Sequence, residues 1–196
     1  MYVITADQKA SRSHADLVPA ALEEIDEIAG GRLTLPPERS TGDELQAVTG
    51  DARAVMDIVM HLTRERHWSV GIGVGAVDQP LPRETRAARG EAFVRARDAV
   101  ERAKSAPGRV AITADHATDA LDTEALMRLL VDLRDRRTPQ GWEVADLLAT
   151  GITQKQVATR LGISPAAVSL RASSAALRIE EGAIPALARL LGRLDT

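Results

Sequence analysis

The chain has no cysteine in its 196 residues, which excludes disulfides and thiolate-held metals. Aromatic residues are nearly missing as well. Tyr2, Phe93, Trp68 and Trp142 make up 2% of the chain, so a core has to be assembled from Ala, Val, Leu and Ile, and stacking of single-stranded nucleic acid on aromatic rings is poorly supplied. No apolar run approaches the length of a membrane span, and the first residues lack the basic-then-apolar pattern of a leader. No membrane partner and a cytoplasmic location are therefore expected. His14, His61, His67 and His116 are scattered, which argues against a transition-metal centre; Asp115, His116 and Asp119 form the one neighbourhood with several donors close in sequence.

What is present is enough for a packed core: 44% of the residues are hydrophobic, in a length that suits one ordinary domain and a smaller one. The net charge of -3 conceals an asymmetry. Residues 134–196 carry nine Lys/Arg and six Asp/Glu, while residues 1–133 carry sixteen and twenty-two, so a mildly basic tail follows an acidic body.

Periodicity orders the elements. Tyr2 to Ala6 is an apolar, β-branched run ending at Asp7, and reads as a buried strand. Leu17, Val18, Ala21, Leu22, Ile25 and Ile28 recur at helical spacing until Gly30 and Gly31 stop them. Leu33 to Ser40 is a strand whose Pro36 and Pro37 require an edge or a bulge, Glu44 to Val48 is its hairpin partner, and Asp51 caps a helix carrying Val55, Ile58, Val59 and Leu62. A further strand region, Trp68 to Val77, is punctuated by Gly71, Gly73 and Gly75. This order predicts an α+β, ferredoxin-like (palm) domain, an antiparallel sheet of four strands with helices on one face. A charged helix over 86–105, a break at Pro107 and Gly108, and a strand over 109–114 follow; from Asp122 the pattern is wholly helical. With the basic Arg134 to Arg137 and Pro139 read as a boundary, the chain divides into a body at 1–118, a connecting helix at 119–138 and a helical tail at 139–196.

Within the tail, Thr153 to Ser169 resembles the helix-turn-helix of bacterial regulators. Thr153 caps a first helix, Ala158 is small where a second helix crosses, and Gly162 permits the positive φ of the turn. Ser164 caps the second helix with Pro165 at its first position, and Val157, Leu161, Ile163 and Val168 lock the pair. The second helix, Pro165 to Leu177, is expected in the major groove of double-stranded DNA. Ala166, Ser169, Arg171 and Ser173 then face bases, and Thr153, Lys155, Gln156 and Arg160 face phosphates, with Ser164 at the helix start. Arg171 is the sole charge well placed on that helix, which favours binding as a homodimer. An ordinary helical hairpin, or one kept for protein contacts, is the other reading of the same residues.

In the body, Gly42-Asp43 is a tight-turn signal, and a turn that sets Asp43 beside Asp7 makes a hard-oxygen pair suited to Mg²⁺ and a nucleotide phosphate. Arg39-Ser40-Thr41-Gly42-Asp43-Glu44-Leu45 resembles the signature hairpin of diguanylate cyclases, and Asp98-Ala99-Val100 through Ala103-Lys104 to Gly108-Arg109 resembles the run that closes that domain. The whole plan is similar to the SatD family of bacterial proteins: Ile4 to Asp7 leading to Ser11-Arg12, the Gly71-Gly73-Gly75 run, Gly90-Glu91-Ala92, Ala103-Lys104, and a closing helix-turn-helix. The resemblance implies a palm fold related to nucleotide cyclases. It implies metal ligation by Asp7 and Asp43, with Glu44 as a third donor. Ser11, Arg12, Gly42, Arg97 and Lys104 would serve the nucleotide and its phosphates. Thr41 replaces the first paired glycine, Leu45 replaces an aromatic, and Val94 and Asp98 occupy the positions where class III cyclases hold an asparagine and an arginine. No catalytic residue is therefore assigned, and nucleotide binding is expected to survive more readily than cyclisation.

Three classes of function follow. One is a DNA-binding regulator whose palm-like body senses a nucleotide or mediates dimerisation. Another is a Mg²⁺-dependent nucleotidyl cyclase or nucleotidyltransferase with a targeting tail. A plain interaction protein that uses both modules for assembly is the third.

Overall fold

Five strands form one mixed sheet in the computed structural model, which describes residues 1–11, 13 and 15–195. β1 (Tyr2–Gln8) lies at its middle, with β2 (Leu33–Arg39) and β3 (Glu44–Thr49) on one side and β4 (Trp68–Val74) and β5 (Val110–Thr113) on the other, in the order β2-β3-β1-β4-β5. The first four strands pair antiparallel as expected. The fifth does not, and the expectation of a purely antiparallel sheet of four strands is corrected: β5 runs parallel to β4. The helix between them, α3 (Glu91–Ala103), is the crossover that a parallel pair needs. Pro36 and Pro37 sit on the outer strand β2, where the register shifts twice, in keeping with the donors they lack.

Residues 2–6 are buried on both faces of the sheet, because helices cover both. Val3, Thr5 and Asp7 stand opposite Gly73, Gly71 and Ser69 of β4 and share the face under α3. Tyr2, Ile4 and Ala6 point the other way, towards α1 (Val18–Ala29) and α2 (Ala52–Leu62), which pack on each other and on the strands. The expected arrangement with helices on one face is therefore also corrected, since the charged helix covers the second face. The close approach of α3 explains the glycines of β4. A Cβ at Gly71 would lie 2.6 Å from the Ala96 carbonyl oxygen, and one at Gly73 2.8 Å from Ala96 Cα. The helix answers with Ala92, Ala96, Ala99, Val100 and Ala103, all buried. It begins later than its periodicity suggests, at Glu91, after a 3-10 turn at Thr85–Ala87 and an extended step through Ala88.

α4 (Ala117–Asp135) is fastened to β5 and α3 by Glu124. This carboxylate is 2% exposed and accepts from the Ile112 amide at 2.7 Å, with Arg128 at 2.7 Å and Arg102 at 3.1 Å completing its partners. A buried carboxylate is tolerated when it is paired and hydrogen-bonded in this way.

The chain divides into two units, Met1–Leu129 with the stretch from Pro185 onward, and Leu130–Ile184; both divisions fall within helices, α4 and α8 (Leu177–Leu194). In the first unit the Tyr2 hydroxyl donates to the Leu191 carbonyl at 3.0 Å, so residues assigned to the tail by composition belong to the body. The second unit holds α5 (Pro139–Ala149), α6 (Gln154–Leu161) and α7 (Pro165–Ser174) around Val144, Val157, Ala158 and Val168. The basic stretch that reads as a boundary is instead packed. Arg137 is 7% exposed, donates to the Ala175 carbonyl and pairs with Glu180, and its guanidinium lies 4.3 Å from the centroid of the Trp142 ring, with that of Arg134 at 5.2 Å.

Candidate functional site

The β2–β3 hairpin and the end of β1 bring most of the expected metal and phosphate residues to one place. Glu44 is the register partner of Asp7, and the Gln8 amide donates to the Asp43 carbonyl at 3.1 Å, so the three acidic residues sit side by side at one edge of the paired strands. The turn requires Gly42, at φ 56, and its carbonyl accepts from Arg39. Arg39 also bonds Asp16, and this holds the Asp16 carboxyl below the usual carboxylate range.

Each carboxylate of the trio already has a partner. The Ser11 hydroxyl donates to Asp43 Oδ2, Ser40 donates to Glu44 Oε1 at 2.8 Å, and Lys104 Nζ lies 3.2 Å from Asp7 Oδ2 and 2.7 Å from Glu101 Oε1. The bond to Glu101 is the larger cause, and that to Asp7 a further one, that push the Lys104 ammonium above its ordinary value. Hard carboxylate oxygens on adjacent strands are the right donor chemistry for Mg²⁺, with the Lys104 ammonium as the cation now against Asp7. Among the described residues no group of three His, Asp or Glu is gathered closely enough to hold a metal ion. That includes Asp115, which pairs with Arg95, and its neighbour His116. Arg12 lies outside the described residues.

Arg97 is not part of this cluster. It lines a neighbouring cleft of about 510 Å³ between the hairpin and the N-terminal half of α3, with Ser40, Thr41, Gln46, Arg89 and Phe93. Gln46 and Arg89 carry no role in the sequence-based reading. A signal for Gln46 exists all the same: it is a glutamine set between Leu45 and the apolar pair Ala47 and Val48 of the strand, and it is 6% exposed. Arg95, on the charged helix, donates to the Val74 carbonyl at 2.6 Å and pairs with Glu91 and Asp115.

The second set of expected residues lies on α6 and α7. Thr153 and Gln156 form a reciprocal cap, with the Gln156 amide donating to the Thr153 hydroxyl at 3.3 Å and the Thr153 amide donating to Gln156 Oε1 at 2.8 Å. Gly162 ends α6 at φ 64, and the Ser164 hydroxyl accepts from the Ala167 amide at 3.1 Å with Pro165 leading α7. Lys155 and Arg160 are exposed on α6, and Ala166, Ser169, Leu170 and Ser173 form the outer face of α7. Leu170, 68% exposed, has no role in the sequence-based reading. Arg171 is turned away from that face: its Nη1 lies 3.2 Å from Glu143 Oε2 on α5. The second helix also ends sooner than expected, at Ser174, because Ala176 takes φ 56 and α8 starts anew.

Comparison with protein-family models, with curated proteins and with solved structures finds no match for this chain.

Proposed function

We propose that the protein is a DNA-binding regulator of the SatD type, in which α6 and α7 form a helix-turn-helix and the strand order β2-β3-β1-β4 with its crossover helices forms a palm-like, ferredoxin-like body that senses a nucleotide or mediates dimerisation. One observation carries the reading. Two consecutive helices are joined by a left-handed glycine, each is capped at its start by a hydroxyl, and they close on a small apolar core that leaves the outer face of the second helix uncovered by its own unit. Beside the exposed Leu170, that face presents Ala166, Ser169 and Ser173, small or hydroxyl-bearing side chains that admit close approach to base edges, and the adjoining α6 supplies Lys155 and Arg160 for phosphates.

The test is selection of a binding sequence from random double-stranded DNA, followed by anisotropy titration at low salt. Enrichment of one sequence, with at least a tenfold preference over scrambled DNA, supports the reading. Absence of any binding at low salt refutes it.

One observation favours a second reading, a Mg²⁺-dependent nucleotidyltransferase or cyclase: the backbones of Asp7, Asp43 and Glu44 are neighbours where the hairpin pairs with the end of β1. There Asp7 and Asp43 would hold the ion, which would neutralise phosphate charge, and Ser11 and Lys104 would neighbour the phosphates. Mg²⁺-dependent release of pyrophosphate from a nucleoside triphosphate, lost in Asp43→Asn, would establish it over the sensor reading.

A further inference from the structure

From the cleft between the β2–β3 hairpin and α3, we infer that the body binds a nucleotide without a metal ion, its phosphates on Arg89 and Arg97 and its base along Phe93 and Val94. The inference deepens the sensor half of the reading above and rests on it for its regulatory meaning; the binding itself is a property of the body alone.

Charge distinguishes the carboxylate cluster from the neighbouring cleft. In the cluster the carboxylates are matched by Lys104 and by hydroxyls, so an incoming phosphate meets negative charge there until a cation intervenes. In the cleft the lining holds three guanidinium groups against one carboxylate, Asp98. Arg86 is committed to Glu84, and its own amide donates to Glu38. Arg89 and Arg97 make no ion pair among the described residues, yet both line the cleft. An arginine fork is the side chain best matched in geometry to phosphate oxygens, and two of them supply the neutralisation that Mg²⁺ gives elsewhere.

The rest of the lining suits the organic half of the ligand. Phe93, the one phenylalanine of the chain, is half-buried at the wall, and Val94 beside it is 64% exposed, a large apolar side chain facing water. A flat base laid against them would bury that surface. The floor carries Gln46, whose Nε2 is committed to the Thr5 hydroxyl at 3.2 Å, which orients the carboxamide and leaves its oxygen as the acceptor for a ligand N–H or hydroxyl. The volume, about 510 Å³, falls in the range of small-molecule sites. A free anion would use the arginines but not this wall.

Isothermal calorimetry and thermal melting of the full chain test the inference, with adenosine and guanosine mono-, di- and triphosphates and with inorganic phosphate, each in EDTA and in Mg²⁺. The expected result is a stabilising shift with at least one nucleotide that persists in EDTA, exceeds that of phosphate, and weakens at least tenfold in Arg89→Ala and in Arg97→Ala, while Arg83→Ala, outside the cleft, binds as the parent does. No shift with any nucleotide at millimolar concentration overturns the inference. So does a shift abolished by EDTA, which would place the ligand at the carboxylates, or one matched by inorganic phosphate. Far-ultraviolet circular dichroism of the two arginine variants confirms that they are folded. DNA binding is read separately by anisotropy, so its failure removes the regulator and leaves the nucleotide site standing.

Discussion

Arg171 is the residue on which sequence and structure differ most usefully. Its charge and position on the second helix mark it for a base edge, but the side chain is 3.2 Å from Glu143, a carboxylate on a different helix that no local pattern connects to it. If Arg171 reads DNA, it must first leave this pair, and a half-exposed ion pair of this kind is worth about 1 kcal/mol or less. Glu143→Gln is therefore expected to tighten operator binding severalfold, up to about fivefold, and Arg171→Ala to weaken it, both by anisotropy; weaker binding in Glu143→Gln would show that the pair holds the active geometry. Tyr2 offers a residue-scale measurement free of interference, since it is the sole tyrosine. Burial, with Asp195 and Asp51 nearby, pushes its hydroxyl up to about 12. The neutral form is favoured in the folded protein, so this contribution to stability is complete below about pH 10, the ordinary tyrosine value, and is lost as pH rises towards 12. Ultraviolet titration should show one tyrosinate transition near the raised value in the native chain and near 10 in denaturant.

Elements were legible where periodicity is local. Asp51 accepts from the Arg53 and Ala54 amides as a cap should, Gly30 ends α1 at φ 51, and Pro36 and Pro37 lie on the edge strand. What could not be read was which strand β5 joins and which face α3 covers, because both depend on partners distant in sequence. The glycines of β4 illustrate the ambiguity. Their alternate spacing fits either a nucleotide approach or a packed helix, and the distance from Gly71 to the Ala96 carbonyl assigns them to the helix. Gly71→Ala is expected to cost about 1–3 kcal/mol, the usual range for overpacking, measured by urea denaturation; a neutral effect would mean that α3 is free to slide. In the tail, a Cβ at Gly162 meets nothing within 4 Å, so Gly162→Ala carries only the strain of φ 64, about 1 kcal/mol. That predicts a modestly lower melting point of the second unit with little loss of DNA affinity.

At the scale of the whole molecule, the charge asymmetry seen in the sequence narrows to two exposed cations on the helix expected at phosphates, Lys155 and Arg160. Each copy bound should then contribute a slope near -2 to the logarithm of affinity against the logarithm of salt, and a dimer on a palindrome near -4. A slope close to zero would assign the face to protein contacts instead. The division of the chain was the least legible feature. The bond from Tyr2 to the Leu191 carbonyl joins positions 189 apart, and the arginines that resemble a linker are stacked on Trp142. This distribution of tryptophan has a spectroscopic consequence. The chain has two indoles, Trp68 on β4 in the first unit and Trp142 on α5 in the second, so each unit carries its own fluorophore. Trp68→Phe and Trp142→Phe would each leave a single emitter, and a difference between their denaturation midpoints would reveal whether body and tail melt as one.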